Sequence, residues 1–168
     1  MQLGSIKDVY THELQDLYSA ERQLLQALPK LAQAASSDEL RQAFAHHLEE
    51  TRGHVARLDE VMAQAGISAG NERCKAMEGL IAEGEEILSA EGDRTVRDAA
   101  LISAAQRVEH YEIAAYGTAR TLAGELGMDD AKDLLDQTLD EESQADKLLT
   151  KIATGGLFKA GINQRARS

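Results

Sequence analysis

The stretch that decides the fold reads QRVEHYEIAAYGTA, residues 106–119. It contains no proline, and Glu109 and Glu112 stand one helical turn apart between Val108 and Ala115. Carboxylates at that spacing lie about 5 to 6 Å apart at their Cβ atoms and repel each other unless a cation lies between them. A charge in an apolar interior is also costly unless it is paired or bound to metal. The stretch therefore predicts a core-facing helix that contributes two carboxylates to a metal site.

Glutamates recur near the middle of the first and last long helical segments. Glu21 follows Leu17 by four positions and precedes Leu24 by three, so it lies on the apolar stripe of its segment. Its alternative role is an edge position paired with a neighbouring charge. Glu142 lies at the centre of the leucine stripe of the last segment, whereas Glu141 points about 100° away. We expect Glu142 to face the core and Glu141 to support a ligand or face solvent.

The second long segment adds nitrogen donors. His47, Glu50 and His54 are spaced by three and four residues, which places them on adjoining parts of one helix face. Carboxylate and imidazole together suit a first-row transition metal, and one of the two histidines is expected to orient a ligand instead of binding metal. A surface patch of histidine and glutamate is the alternative. His46 points elsewhere and is expected in solvent.

A layer of carboxylates at matched depth in four long helices is what a four-helix bundle uses to hold two metal ions. The predicted ions lie about 3.5 to 4 Å apart. Depth in the core assigns the bridging role to Glu50 and Glu142. The predicted metal ligands are Glu21, His47, Glu50, His54, Glu109, Glu112 and Glu142.

Composition restricts the class of protein. The chain has 168 residues with one proline, no tryptophan and a net charge of -11, which favours one helical domain and argues against binding nucleic acid or an anionic membrane. Cys74 is the single cysteine, so an intramolecular disulfide is impossible, as expected in a reducing cytosol. The first residues, MQLGSIKDVYTHEL, show no signal peptide, and no apolar stretch approaches the about 20 residues that span a bilayer. We expect a cytoplasmic all-α protein.

Four long helices and one short helix are predicted, over residues 5–35, 36–65, 75–90, 93–126 and 129–153. Capping signals mark their starts: Ser36 and Glu39 form a capping box, Asp93 or Thr95 caps the fourth helix, and Asp129 caps the fifth. Glycines end the second, fourth and fifth helices, at positions 66, 127 and 155–156.

Proline and glycine mark the irregular parts of the chain. Pro29 predicts a kink in the first helix, or else a break near Leu28. The glycine-punctuated connection between the second and third long helices is the long crossover of a ferritin-like four-helix bundle. Apolar residues from Met77 to Leu88 in its short helix either cover the bundle's own flank or, as we favour, bury a second copy in a homodimer. Residues 1–155 form the bundle, and residues 156–168 are expected to be a flexible basic tail, with a docking peptide as the alternative.

At these residues the chain resembles the YciE/YciF family of ferritin-like bacterial proteins, and its YciF branch in particular. The matching stretches are DLYSAE (16–21), HLEET (47–51), RDAALISAAQRVEHYEIAAYGTA (97–119) and LDEE (139–142), and CKAMEGLIAEGEEIL (74–88) resembles the family's connecting region. The resemblance covers about Ile6 to Ala153. It implies a fold similar to that of rubrerythrins, bacterioferritins and manganese catalases, a di-iron or related dinuclear site, a homodimer and a link to bacterial stress responses. It implies no substrate.

One feature departs from the ferritin-like pattern, which places a Glu-x-x-His pair on each of two helices. Gly53 stands three residues after Glu50, and Ala145 stands three residues after Glu142. No histidine faces the site from the last helix. The resulting oxygen-rich site suits iron first and manganese second, and suits copper poorly.

The leading hypothesis is a cytosolic stress-response protein that cycles iron against peroxide or oxygen. If it is an enzyme, it is an oxidoreductase of the rubrerythrin or catalase type. Its electron donor must be a separate molecule, because the chain has no cysteine cluster. The competing hypothesis is a structural or interaction protein in which metal, if bound, only stabilises the bundle. A subunit of an iron-storage cage is a third reading, which the chain's lack of an evident assembly signal disfavours.

Overall fold

The computed structural model describes residues 3–156 and 159–167. Five helices carry the fold, and their bounds are α1 Ile6–Ala34, α2 Asp38–Ala65, α3 Lys75–Ser89, α4 Arg94–Glu125 and α5 Asp129–Thr154. A two-residue antiparallel pair, β1 Gly155–Gly156 with β2 Lys159–Ala160, and a short α6, Ile162–Arg165, follow them. The predicted all-α bundle with a short helix in its crossover is confirmed. No helix in the described part of the chain combines the length and apolarity needed to cross a bilayer.

The four long helices close into a bundle. α1 packs on α2 and α4 packs on α5, and the two pairs meet through α2 with α5 and through α1 with α4. α3 lies against α4 and α1, outside the four-helix core. Met77 of α3 is fully buried, and Leu80, Ile81, Ile87 and Leu88 pack against the same apolar cluster. These residues of α3 therefore cover the bundle's own flank in the isolated chain.

Of the predicted helix N-caps, one is confirmed and two are wrong. Asp93 caps α4 by accepting hydrogen bonds from the N–H groups of Thr95 and Val96, as one of the two predicted alternatives requires. The predicted capping box of Ser36 and Glu39 is wrong, because α2 has its N-cap at Ser37 and no side chain caps it. The predicted cap at Asp129 is also wrong, since α5 begins with that residue and its N-cap is Met128.

A carboxylate from another helix replaces the capping box. Asp98 of α4 is 1% exposed and accepts hydrogen bonds from the N–H of Ser36 at 2.9 Å, the N–H of Ser37 at 2.8 Å and the Ser36 hydroxyl at 2.7 Å. These hydrogen bonds satisfy both oxygens of a buried carboxyl group. The contact fixes the turn between α1 and α2 to the start of α4.

Helix continuity and helix ends depend on single residues. α1 runs through Pro29 to Ala34, so the alternative of a break near Leu28 is wrong. Proline has no backbone N–H, so one carbonyl of the preceding turn loses its hydrogen-bond partner. Pro29 is exposed, and water can therefore supply the missing hydrogen bond. The predicted kink stays a prediction. α2 ends at Gly66, which adopts a left-handed conformation with φ of 66°, and this conformation favours glycine.

The last described residues return to the bundle. Ile162 is fully buried in the apolar cluster that α4 and α5 help to form, and Lys159 forms an ion pair with Glu39 of α2. Gly155 turns the chain with φ of 77° where the backbone of Gly161 passes too close to admit a side chain. Within the described part of residues 156–168 only Gly161 and Ile162 are buried, and the predicted flexible tail stays a prediction.

Candidate metal centre

A polar layer lies across the middle of the bundle. Glu21, His54, Glu112 and Glu142 have no exposed surface, and Glu109 and His47 are 3% and 5% exposed. The layer separates two apolar clusters, one toward each end of the bundle. α1 supplies one of these side chains, α2 two, α4 two and α5 one, so the layer joins all four long helices.

The side chains of the layer form two groups that share Glu142. One group contains His47, Glu109, Glu112 and Glu142, and the other contains Glu21, His54 and Glu142. Within each group one potential ligand atom per residue lies within 4.8 Å of the others. A carboxylate has two oxygens, so Glu142 can contribute one to each of two neighbouring ions. The predicted bridging role of Glu142 agrees with this position.

Many polar atoms of the layer have no hydrogen-bond partner. Among the described residues these orphaned atoms include His47 Nε2, His54 Nδ1, Glu21 Oε2, Glu109 Oε2 and both carboxylate oxygens of Glu112 and Glu142. One of them, His54 Nδ1, lies 3.0 Å from the orphaned Glu142 Oε1 and 3.2 Å from Glu21 Oε1, and neither contact has hydrogen-bond geometry. Each buried polar group without a hydrogen-bond partner lowers the stability of the fold by about 1–3 kcal/mol. Atoms that face a common centre instead of one another are those that a bound cation satisfies, so the layer fits metal.

The charges of the layer are strongly coupled. Burial raises the pKa of Glu112, and the carboxylates of Glu142, Glu21 and Glu109 raise it further. Burial also raises the pKa of Glu109 well above its usual range. Without a cation, the layer therefore holds protons at neutral pH. Divalent cations would replace those protons.

The imidazoles respond to the same carboxylates. Burial alone would lower the pKa of His47, but the carboxylates of Glu109, Glu50 and Glu142 outweigh it and raise the pKa to about 9. The pKa of His54 rises to about 10, because the neighbouring carboxylates of Glu142 and Glu21 outweigh the effect of burial. Contact with the imidazoles lowers the pKa of Glu142 against the opposing effect of burial. In the absence of metal, both imidazoles are therefore cationic at neutral pH.

Both nitrogen donors come from α2, one for each group. His47 and His54 are seven residues apart, a rise of about 10 Å along a helix. Their ring centroids are only 6.1 Å apart, so the rings lean toward each other. α5 carries no histidine, as the sequence shows. A single helix therefore supplies an imidazole to each group, and both candidates from the sequence enter the layer.

Partners outside the layer orient its members. The Tyr116 hydroxyl donates to Glu21 Oε1 at 2.5 Å. His54 Nε2 lies 3.0 Å from Glu141 Oε2, and Arg57 donates to both oxygens of Glu141 at 2.7 Å. Partners of this kind fix the orientation of metal ligands. The pattern of the sequence does not single out Arg57, although it stands one turn after His54 on the same face.

Glu50 lies outside both groups. It is 22% exposed, its Oε2 lies 3.4 Å from His47 Nδ1, and its Oε1 lies 3.2 Å from Nε2 of His46. His46 is 68% exposed, which matches the expectation of a solvated side chain. The sequence assigns Glu50 a bridging role, whereas the structure places it on the outer side of His47. The other six predicted ligands are brought together.

The chain matches known proteins over nearly its full length. Residues 5–167 match the family model described as "Domain of unknown function (DUF892)". Protein YciF of Escherichia coli (strain K12) is 48% identical over 165 residues, which cover 98% of this chain and 99% of that protein.

The fold of the chain is also similar to that of solved structures. The crystal structure of the Escherichia coli stress protein YciF matches with a TM-score of 0.86 and 51% identity, covering 89% of this chain and 94% of that one. YcfI, a candidate structural protein from Rhodopseudomonas palustris, matches with a TM-score of 0.87 and 41% identity, covering 90% and 97%. A protein from Xanthomonas campestris shares the fold at 19% identity, with a TM-score of 0.70 over 88% of this chain and 90% of that one.

Proposed function

The chain belongs to the DUF892 family, as its resemblance to the YciE/YciF proteins predicts, and we propose that it is a cytosolic stress-response protein built around two metal ions. The observation that supports this proposal is the set of buried, unpartnered donor atoms that face a common centre in the middle of the bundle. The relation to a stress protein comes from YciF. A cytosolic location agrees with a single, unpaired cysteine.

The proposed ligands divide between two positions. His47, Glu109 and Glu112 hold one ion, Glu21 and His54 hold the other, and Glu142 bridges them. Mixed carboxylate and imidazole donors suit iron first and manganese second. When bound, a pair of such ions supplies one-electron chemistry toward peroxide or oxygen.

The surrounding residues orient the proposed ligands and shield them from water. Tyr116 holds Glu21 in place, and the Arg57–Glu141 pair holds the outer nitrogen of His54. The apolar clusters above and below the layer limit the access of water. The electron donor is a separate molecule.

A metal assay with matched variants tests the proposal. Protein purified without chelator is analysed for iron and manganese, and crystals are examined by anomalous scattering at both absorption edges. We expect about two ions per chain, and we expect the Glu142→Ala variant to lose most of the metal because it removes the shared ligand. The Glu49→Ala variant is the control, since Glu49 is an exposed glutamate of α2. Absence of metal from the wild type after loading with iron or manganese would refute the proposal.

A non-enzymatic role for the metal is the second candidate, and the likeness to YcfI favours it. Structural metal sites are closed, whereas catalytic sites keep an open position. A pocket that opens on the His47 side of the layer favours chemistry with small molecules. Peroxide consumption by the metal-loaded protein separates the candidates, because a purely structural site would consume none above the rate of the Glu142→Ala variant.

A homodimer is also proposed, with α3 near the interface. Leu80, Ile81, Ile87 and Leu88 are half-buried, so each keeps exposed surface after packing on its own bundle. A twofold interface would use the same patch on both copies. Light scattering at micromolar concentration tests this, and a strictly monomeric mass would leave α3 with intrachain packing alone.

A further inference from the structure

One pocket reaches the metal layer from the surface. It lies between α2 and α5, has a volume of about 210 Å³, and is bounded by Phe44, Leu148 and Leu149 together with His46, His47, Glu50 and Glu109. Its apolar wall comes from both helices, its imidazole and carboxylate groups lie along α2 and at the inner end, and Gln144 of α5 adds an amide. The pocket therefore joins solvent to the group that contains His47 and Glu109.

Donor atoms follow this pocket in order of decreasing exposure. His46 is 68% exposed, Glu50 is 22% exposed and His47 is 6% exposed as side chains. Glu50 directs one oxygen to each histidine, at 3.2 Å from His46 Nε2 and 3.4 Å from His47 Nδ1. His47 directs its other nitrogen inward, where Nε2 lies 3.5 Å from Glu109 and 3.7 Å from Glu142. Nε2 is buried and has no hydrogen-bond partner among the described residues.

We propose that His46 and Glu50 form an outer binding site that captures a divalent transition-metal cation from solvent, and that His47 passes the cation inward to the buried layer. The proposal rests on the function proposed above, since it needs a metal destination. Imidazole and carboxylate are suitable donors for such a cation. His47 is suited to the transfer because it has one nitrogen on each side, and it releases its proton when it takes up the cation.

Charge supports capture at this point. The chain carries a net charge of -11, which raises the local concentration of cations. A second exposed histidine–carboxylate pair provides a matched control: His110 is 69% exposed, and its Nε2 lies 3.3 Å from Asp146. His110 and Asp146 do not line the pocket. If any surface pair served for capture, the two histidines would be equivalent.

Loading kinetics test the proposal. Metal-free full-length protein is mixed with cobalt(II) in a stopped-flow instrument, and the visible absorption of bound cobalt reports its arrival in the layer. We expect wild type, His46→Ala, Glu50→Gln and His110→Ala all to bind the same final amount of cobalt. We expect the His46→Ala and Glu50→Gln variants to load about tenfold more slowly and the His110→Ala variant to load at the wild-type rate. Added salt should slow the wild type more than the Glu50→Gln variant, because screening weakens attraction to an exposed charge.

The outcomes separate the two proposals. If the wild type binds no cobalt, iron or manganese, the dinuclear site itself is refuted. If the wild type binds metal but His46→Ala and Glu50→Gln load at its rate, the outer site is refuted and the dinuclear site stands. If Glu50→Gln instead lowers the final amount bound with no change in rate, Glu50 is a ligand of the layer, and the capture role is overturned.

Discussion

The Tyr116 hydroxyl donates a hydrogen bond of 2.5 Å to Oε1 of Glu21, and both side chains are fully buried. The bond occupies one carboxylate oxygen and leaves Oε2 as the unpartnered one. It joins α4 to α1 across the bundle. The hydroxyl of Tyr116 therefore fixes the orientation of the Glu21 carboxylate within the layer.

Removing that hydroxyl should weaken metal binding. In the Tyr116→Phe variant Glu21 loses its orienting donor, and we expect the affinity of the metal site to fall about 10- to 100-fold. Competition titration against a chelator of known affinity measures the change. Tyr10→Phe is the control, because the Tyr10 hydroxyl is buried without a hydrogen-bond partner among the described residues, so its loss should leave affinity unchanged. Equal effects of the two substitutions would contradict the role of Tyr116.

In the metal-free protein, the buried carboxyl group of Glu112 should lower the free energy of unfolding. Both of its oxygens are unpartnered, and no cation of the chain forms an ion pair with it in the described structure. We expect Glu112→Met to stabilise the chelator-treated protein by about 1–3 kcal/mol, because an apolar side chain replaces an unpaired buried carboxyl. Thermal unfolding with and without chelator measures this.

The same substitution should remove the benefit of metal. At a metal concentration 100 times the Kd, binding stabilises the wild type by about 2.7 kcal/mol, or roughly 5 to 10 °C in Tm for a domain of this size. That difference should largely disappear in Glu112→Met and persist in Glu86→Met, which changes an exposed glutamate of α3. A Glu112→Met variant that keeps the full shift would remove Glu112 from the ligand set.

Metal-free protein should lose stability as pH rises. The pKa of His47 is about 9 and that of His54 about 10 in the folded chain, against about 6.5 when unfolded. Groups with a raised folded pKa contribute stability that is complete below about pH 6.5 and is lost as the pH passes through the folded pKa. We therefore expect the free energy of unfolding to fall between about pH 6.5 and 10, by an amount on the order of a few kcal/mol.

Urea denaturation of chelator-treated protein at several pH values checks this expectation. His47→Gln should flatten the dependence, because it removes one of the two titrating groups, whereas His110→Gln should not. Loaded protein should also show a weaker dependence, since metal binding requires neutral imidazole. A metal-free protein with constant stability over this range would show that the imidazoles are not held as cations.

Asp98 should be more important to stability than the residues that the sequence marks as the α2 cap. In Asp98→Asn an amide NH2 replaces one of the two accepting oxygens, so at least one of the three hydrogen bonds to Ser36 and Ser37 is lost, and we expect a cost of about 1–3 kcal/mol. Glu39→Gln should cost less than about 1 kcal/mol, because Glu39 makes only a surface ion pair with Lys159. Chemical denaturation measures both. A larger loss of stability in Glu39→Gln than in Asp98→Asn would contradict this expectation and favour the capping box that the sequence predicts.

The helices and the inward-facing donors could be predicted because both depend on local periodicity. Glycine at position 66 and the stripe around Glu21 identify a helix end and a buried face without reference to other helices. The positions of Asp98 and Glu50 could not. Asp98 accepts a hydrogen bond from Ser36, 62 residues away in sequence, and local periodicity cannot predict a contact between residues so far apart.

Glu50 shows the limit of periodicity on a single helix. It lies three residues after His47, so the two side chains share a helix face, and the sequence of α2 alone does not show which of them meets α4 and α5. His47 became buried and Glu50 stayed beside the pocket. Ile162 is a similar case, because a basic segment after two glycines gives no sign that one of its apolar residues completes the core.

The placement of both imidazoles on α2 has a consequence for design. An engineer who wishes to add nitrogen ligands to both positions of an all-carboxylate bundle needs to rewrite only one helix, with two histidines seven residues apart and rings that lean toward each other. The remaining three helices supply only oxygen donors. A bundle that receives residues 47–54 in the same register would therefore gain two inward-facing imidazoles in a single exchange of sequence.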